Sequence, residues 1–461
     1  MQKNQELLAL RDEYIYKVQP KDFGKKMADL RDQFATNFAI VNADAKAKII
    51  SQLKELTLDM NSFVTRWNEY DAKAMQQAGY AETEANIALL KTFCADTAKE
   101  VAAEVEELRN AGLNKMVDMS LEGKINTFWG NDLSYNLTWA LRRGATLVTT
   151  NPPIIDGFRR NNPENWEKRK AYLLAANPEL KNDPIYLGIN LAVTVVLDNM
   201  KELYQVFKMT NGTNGYVSHQ LSPANSKNVD EMIKEVDYVY GKLVEGLGGK
   251  TPNLMFKIPG ITEGLKVAEY ATQKGMCVNI TVDYCAAQHD AYSDVIEKGK
   301  AKLSYLTLMS GRLDDMIVDD LKAAGVANPE EMASYAGRLV LQNSYKNLIK
   351  KGIKKSIILV AALRGDYHFD SAITTEKDYP IHITSSPERA DDYSKASHTF
   401  APEIYKEYPA DIFKVLEKSP YFRPAYDLDG IKMADLDEYL PIKNTFIQFG
   451  ERYQGMLDTF K

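Results

Sequence analysis

Asn253-Leu-Met-Phe-Lys-Ile-Pro-Gly-Ile-Thr-Glu-Gly-Leu265 is an apolar run that carries one lysine, stops at Pro259-Gly260 and passes into an amphipathic helical pattern from Glu263. Short apolar runs bounded by Pro and Gly read as strands buried on both faces. Lysine is almost never fully buried without a partner, so Lys257 has to be accounted for. Two readings stand side by side. Desolvation can hold the amine largely neutral, ready to attack a carbonyl and form a Schiff base. Alternatively, a strand-end lysine lays its stem along the core and lifts its ammonium to water.

Working outward, short apolar runs recur at 125–129, 146–149, 216–219, 254–258, 276–280, 303–307, 356–361 and 381–384. Helical patterns lie between most of them, at 187–207, 229–247, 263–274, 286–298 and 329–351. Eight strands separated by helices predict parallel βαβ units closed into an α/β, eight-stranded (β/α)8 barrel of the TIM type. A doubly wound open sheet is the competing arrangement, but it usually opens with a glycine-rich phosphate loop, and none follows the first strand. Stretches 403–416 and 435–460 read as closing helices, with Pro420, Pro424 and Gly430 marking an irregular connection.

Residues 1–122 differ in character, holding one proline (Pro20) of the chain's 17. Ile49, Leu53, Leu56, Met60, Phe63 and Trp67 form one helical stripe; Ile87, Leu90, Cys94, Thr97, Val101, Val105 and Leu108 form another. Each set shares a helix face and predicts packing rather than ligand binding. Gly79 is the expected turn of an antiparallel hairpin. The expected division is therefore a helical N-terminal extension over 1–122 and a barrel with C-terminal helices over 123–461. The stripes need a further apolar partner, either the barrel's outer helices or the same region of a second copy in a homo-oligomer.

Charge is nearly balanced, with 57 basic and 63 acidic residues and a formal net charge of −6, which argues against a nucleic-acid footprint. No apolar run reaches the roughly 20 residues a bilayer demands, and the N-terminus lacks a signal-peptide core, so a cytoplasmic, membrane-free protein is expected. Cys94, Cys277 and Cys285 are too scattered for a disulfide framework or zinc site, and the five histidines show no metal-ligand spacing. Neither metal nor cofactor is expected.

In a barrel of this kind chemistry belongs at the C-terminal strand ends. Those ends supply Asn131 with Asp132, Asn151, Gln220, Lys257, Asn279 with Thr281, Thr307, Arg312 and Arg364. Taken singly, Asn151 before Pro152-Pro153 also reads as a turn residue, and Arg312 as a surface partner of Asp314 or Asp315. His219 beside Gln220 reads as a packed histidine.

Four segments, in order, resemble the transaldolase family of Schiff-base aldol-transferring barrels. They are Gly144-Ala-Thr-Leu-Val-Thr-Thr-Asn-Pro-Pro-Ile-Ile155, Lys257-Ile-Pro-Gly-Ile-Thr-Glu-Gly-Leu265, Val278-Asn-Ile-Thr281 with Ala286-Ala-Gln288, and Thr307-Leu-Met-Ser-Gly-Arg-Leu-Asp-Asp315. The likeness covers roughly 124–390, weakens over 433–460 and leaves the N-terminal region outside. It implies transfer of a dihydroxyacetone unit from a ketose phosphate to an aldose phosphate, in the pentose phosphate pathway, with sugar phosphates as the small-molecule partners. Lys257 would form the Schiff base, Asn151 and Asn279 would bind the dihydroxyacetone unit, and Thr281 would hold a catalytic water. Thr307 would line the substrate site, and Arg312 and Arg364 would clamp the phosphate through parallel hydrogen bonds.

The departures concern acids. The family carries aspartate at the end of the first strand and glutamate at the end of the third. Aligning Phe128-Trp-Gly-Asn-Asp-Leu-Ser134 and Val217-Ser-His-Gln-Leu-Ser222 places Asn131 and Gln220 there, and an amide cannot shuttle protons. Fructose 6-phosphate aldolases share the glutamine but keep the aspartate. Met309 stands where transaldolases have phenylalanine and those aldolases tyrosine, and Ala362 replaces a phosphate-binding serine. Three readings follow: a transaldolase, a lyase releasing dihydroxyacetone, and a sugar-phosphate binder without turnover.

Overall fold

The eight short apolar runs become eight strands because each is rich in Val, Ile, Leu and aromatic residues and is interrupted by Gly, Pro or Asn. The computed structural model describes residues 2–60, 72–132 and 137–460. The strands are β1 Thr127–Asn131, β2 Leu147–Val148, β3 Tyr216–Gln220, β4 Leu254–Pro259, β5 Cys277–Asp283, β6 Ser304–Leu308, β7 Ser356–Val360 and β8 Ile381–Ser385. All pairings are parallel, and β1 closes on β8, giving a closed barrel in sequence order. The expected α/β barrel is the observed fold.

Alternation along the strands separates two packed layers. Leu147, Tyr216, Met255, Cys277, Tyr305 and Leu359 fill the interior, with the Tyr305 hydroxyl and His382 Nδ1 hydrogen-bonded at 2.9 Å. The intervening residues, such as Trp129, Val217, Phe256, Val278 and Ile358, pack outward under the surrounding helices. That two-residue period is what later fixes which side chain of each strand end faces the site.

Among the described residues six α-helices precede β1, including Phe23–Ile40, Ala43–Asp59, Ala72–Phe93, Ala95–Asn110 and Gly112–Leu121. The expected turn at Gly79 is not there: Gly79 lies inside the helix Ala72–Phe93. The second stripe, read as one helix, is broken at Cys94, whose φ of −157° and ψ of 106° end one helix and start another. Phe63 and Trp67 of the first stripe lie outside the described residues. The stripes bury mainly against one another: Phe23, Met27, Leu53, Leu56, Val101 and Leu108 share a core separate from the barrel's, and Phe38 stacks on Phe93 at 4.0 Å. On the barrel side Met209, at the end of the helix Pro184–Met209, packs against this core, and the remaining ties described here are polar. Arg142, at the end of the helix Leu137–Arg142, donates to Asp59 at 3.0 Å and Glu55 at 2.6 Å. The helix Gly112–Leu121, in contrast, packs Leu113, Met116 and Val117 into the barrel's outer layer.

Two further helical readings are corrected. The 329–351 pattern is interrupted at Ser334, giving Pro329–Ala333 and Tyr335–Lys351. In 403–416 only Ala410–Leu416 is α-helical, because Pro409 forms its N-terminal boundary. The C-terminal helix Leu440–Asp458 begins with proline as its second residue, a position where the missing N–H costs nothing. Among the described residues no helix is long and apolar enough to cross a membrane.

Candidate active site

β4 carries Lys257 between Phe256 and Ile258, both fully buried and turned outward, so the lysine points into the barrel mouth. It is 6% exposed, and its Nζ donates to the carbonyl of Thr150 at 3.2 Å. Burial lowers its pKa to about 8; the charge of Asp132 opposes this and that of Arg312 adds to it. The snorkelling alternative is thereby set aside, since the amine is held inside the mouth.

Register assembles the rest. Gln220, Lys257 and Asn279 are consecutive partners across β3, β4 and β5, and Thr281 pairs with Pro259 one step higher. Thr307 donates to Asn279 Oδ1 from β6. Gln220 Oε1, Asn279 Nδ2 and Thr281 Oγ1 are buried without a hydrogen-bond partner among the described residues. Native interiors rarely leave such groups unused, so this cluster beside an amine marks a place where polar substrate atoms fit. Asn151 stands at its edge, lining a small cavity of about 30 Å³ with His219 and Gln220. Its side chain also accepts the Ile154 N–H at 2.8 Å, capping the helix Pro152–Asn161 as a residue at this turn would.

The first strand requires a correction. Phe128 meets His382 inside the barrel, and a Cβ on Gly130 would fall 2.3 Å from interior Leu147; Trp129 packs outward. Alternation then gives Asn131 to Trp129's face and turns Asp132 toward the interior. Asp132, rather than the uncharged Asn131, carries the charge that acts on Lys257. Its Oδ1 is buried without a hydrogen-bond partner among the described residues. Burial pushes its pKa up to about 6, against the stabilising charge of Lys257, while Glu388 pushes the same way as burial. The carboxyl that the alignment had lost is therefore present one residue later. The alternation of Phe128-Trp-Gly-Asn-Asp was the available signal.

The two arginines sit together at the start of the helix Ser310–Ala323. Gly311 permits this, since a Cβ there would lie 2.1 Å from the Ala362 carbonyl and 2.7 Å from Arg364 Cγ. Ala362 itself adopts a left-handed φ of +60°, an uncommon conformation for a residue with a Cβ. Arg364, rather than Arg312, pairs with Asp315, through Nε at 3.0 Å and Nη2 at 2.5 Å. Asp314 instead faces buried His368 at 3.1 Å, and His368 Nδ1 accepts the Arg364 backbone N–H at 3.1 Å. Arg312 donates to Gln448 Oε1 at 2.6 Å from the C-terminal helix. Neither Asp315 nor Gln448 was foreseen in these roles. Met309 is buried in the outer layer and supplies no hydroxyl.

The arrangement offers a partly neutral amine, one protonatable carboxyl, amide and hydroxyl groups, and two guanidinium groups at the C-terminal end of a closed barrel. The chain is similar to several known proteins. The transaldolase of Thiobacillus denitrificans is 27% identical over 242 residues, covering 48% of this chain and 62% of its own length. That of Chlamydia pneumoniae is 24% identical over 236 residues, covering 49% of this chain and 65% of its own. The transaldolase of Mycolicibacterium smegmatis is 24% identical over 297 residues, covering 57% and 76%. The chain thus spans less than two thirds of the length of the first two relatives. The model of the transaldolase/fructose-6-phosphate aldolase family matches residues 135–433, more than half of the chain, and the chain belongs to that family.

Proposed function

We propose that the protein is an enzyme that transfers a dihydroxyacetone unit between sugar phosphates through a Schiff base on Lys257. The observation that carries this reading is the buried Lys257 amine, with its pKa near 8 and Asp132 in electrostatic contact. About a tenth of such an amine is neutral at pH 7, against well under a thousandth for an unperturbed lysine. The neutral amine attacks the ketose carbonyl, and loss of water gives the protonated imine. Asp132 then takes the proton of the hydroxyl on the carbon to be released. The bond between that carbon and its neighbour breaks, its electron pair passing into the imine, and an aldehyde leaves. The retained enamine adds to the acceptor aldehyde, and hydrolysis returns the amine. Asn151, Asn279, Thr281 and Thr307 bind hydroxyls and water, and Arg312 and Arg364 hold phosphate. The family relatives named transaldolase support the same reading, as does the barrel architecture.

Gln220 favours a second reading, a lyase that releases dihydroxyacetone, because an amide there cannot carry protons as a carboxylate does. Incubation with fructose 6-phosphate separates the two. Transfer predicts turnover only when erythrose 4-phosphate is added; stoichiometric dihydroxyacetone without acceptor establishes the lyase. No turnover in either assay rejects both and leaves a sugar-phosphate binder, a reading weakened by Asp132.

A further inference from the structure

The C-terminal helix Leu440–Asp458 lies across the barrel mouth and touches both walls. On one side Thr445 Oγ1 meets the Tyr284 hydroxyl at 2.5 Å just beyond β5. On the other, Tyr453 and Met456 line the small cavity shared with Asn151 and Gln220. Between these anchors the helix presents Gln448 and Phe449 to Arg312, whose guanidinium lies 5.5 Å from the Phe449 ring centroid. The two arginines are thus treated differently. Arg364 has its charge compensated by Asp315. Arg312 makes no ion pair among the described residues, and its side-chain hydrogen bond goes to a neutral amide.

We propose that Gln448 is a positioning and specificity residue for the anionic end of the substrate: a neutral acceptor that aims Arg312 while leaving its positive charge to the ligand. This rests on the sugar-phosphate reading above. A carboxylate at 448 would satisfy the same Nη1 donor but cancel the charge, and a phosphate dianion would then meet a site whose two guanidinium groups each face a carboxylate. An apolar residue would leave the charge and lose the aim. The role belongs to the side chain's neutrality as much as to its hydrogen bond, and a purely structural contact would not distinguish these changes.

Equilibrium binding of inorganic phosphate to the full chain, read by calorimetry, tests the assignment with Q448E and Q448L. Q448E should weaken binding by roughly tenfold or more, since it sets an opposing charge at contact distance. Q448L should weaken it by only about two- to fivefold, the scale of one lost orienting hydrogen bond. With fructose 6-phosphate the KM should rise in the same order while kcat changes little. Thermal midpoints should match the parent; if Q448E does not fold, Q448L alone still has to weaken binding. The proposal is overturned by absence of phosphate binding in the parent, by equal affinities in all three proteins, or by losses that merely track stability. Imine trapping on Lys257 does not require Gln448, so failure of the Schiff-base reading would show itself separately.

Discussion

Asp132 and Lys257 control one another's charge, and the consequences can be read residue by residue. Burial drives both toward their neutral forms, while each charge favours the other's. Replacing Asp132 by Asn removes the negative charge that raises the lysine's pKa. The Lys257 pKa should therefore fall below about 8, more amine should be neutral at pH 7, and imine formation should persist. Turnover should nonetheless drop by about a hundredfold, the usual worth of a general acid–base group. The kcat of D132N with ketose and acceptor, compared with its borohydride trapping, checks this; parental turnover would remove Asp132 from the mechanism. The sequence carried this residue in plain view. Motif alignment placed the acid position at Asn131, whereas the inward Phe128 and Gly130 give the phase of β1 and make Asp132 the inward side chain. Lys257 was legible because a single charge inside an apolar strand is rare. Asp315 and Gln448 were not, because nothing local says which carboxylate or amide will meet an arginine that folding brings to it.

At the level of elements, all eight strands were visible as apolar runs, and most boundaries moved by one to three residues. The misses occur where a periodic pattern runs through a break. Cys94 keeps the stripe of Leu90 and Val101 in phase although its backbone is extended, so periodicity alone joined two helices. Gly79 failed in the opposite sense, since one glycine inside a helical pattern costs only about 1 kcal/mol and need not mark a turn. The N-terminal helices were expected to need an outside apolar partner; they bury mainly against one another, with Met209 of the barrel helix Pro184–Met209 packed against their core, and ion pairs add to the tie. Arg142 is its hub, nine-tenths buried and bonded to Asp59 and Glu55 on the helix Ala43–Asp59. Asp59 keeps buried Arg11 as a second partner and Glu55 is partly exposed, so losing Arg142 should cost about 1 to 3 kcal/mol, the scale of hydrogen bonds to charged groups. Arg142→Ala should therefore loosen the N-terminal helices ahead of the barrel. Limited proteolysis should cut within residues 1–110 first, with denaturant midpoint lowered; unchanged cleavage and midpoint would show that the ion pairs hold nothing.

For the molecule as a whole, architecture was legible and convergence was not. Alternating strand and helix patterns predict a closed parallel barrel, and such a barrel places its chemistry at one end whatever that chemistry is. Which groups meet at that end depends on contacts between distant segments: Arg312 and Gln448 are 136 residues apart in sequence, Lys257 and Thr150 are 107 apart. The C-terminal helix was expected to close the fold, but its reach across the mouth follows only from tertiary packing. We propose that residues 1–110 form a separate helical unit that takes no part in the chemistry, since their core is distinct from both barrel layers. The central claim is that Lys257 forms a covalent imine with a ketose phosphate. Borohydride reduction of the full chain with fructose 6-phosphate near pH 8, followed by peptide mass analysis, tests it most directly. A substrate-sized adduct is expected on the peptide containing Lys257 and absent without substrate; no adduct, or one confined to another lysine, would contradict imine formation at Lys257.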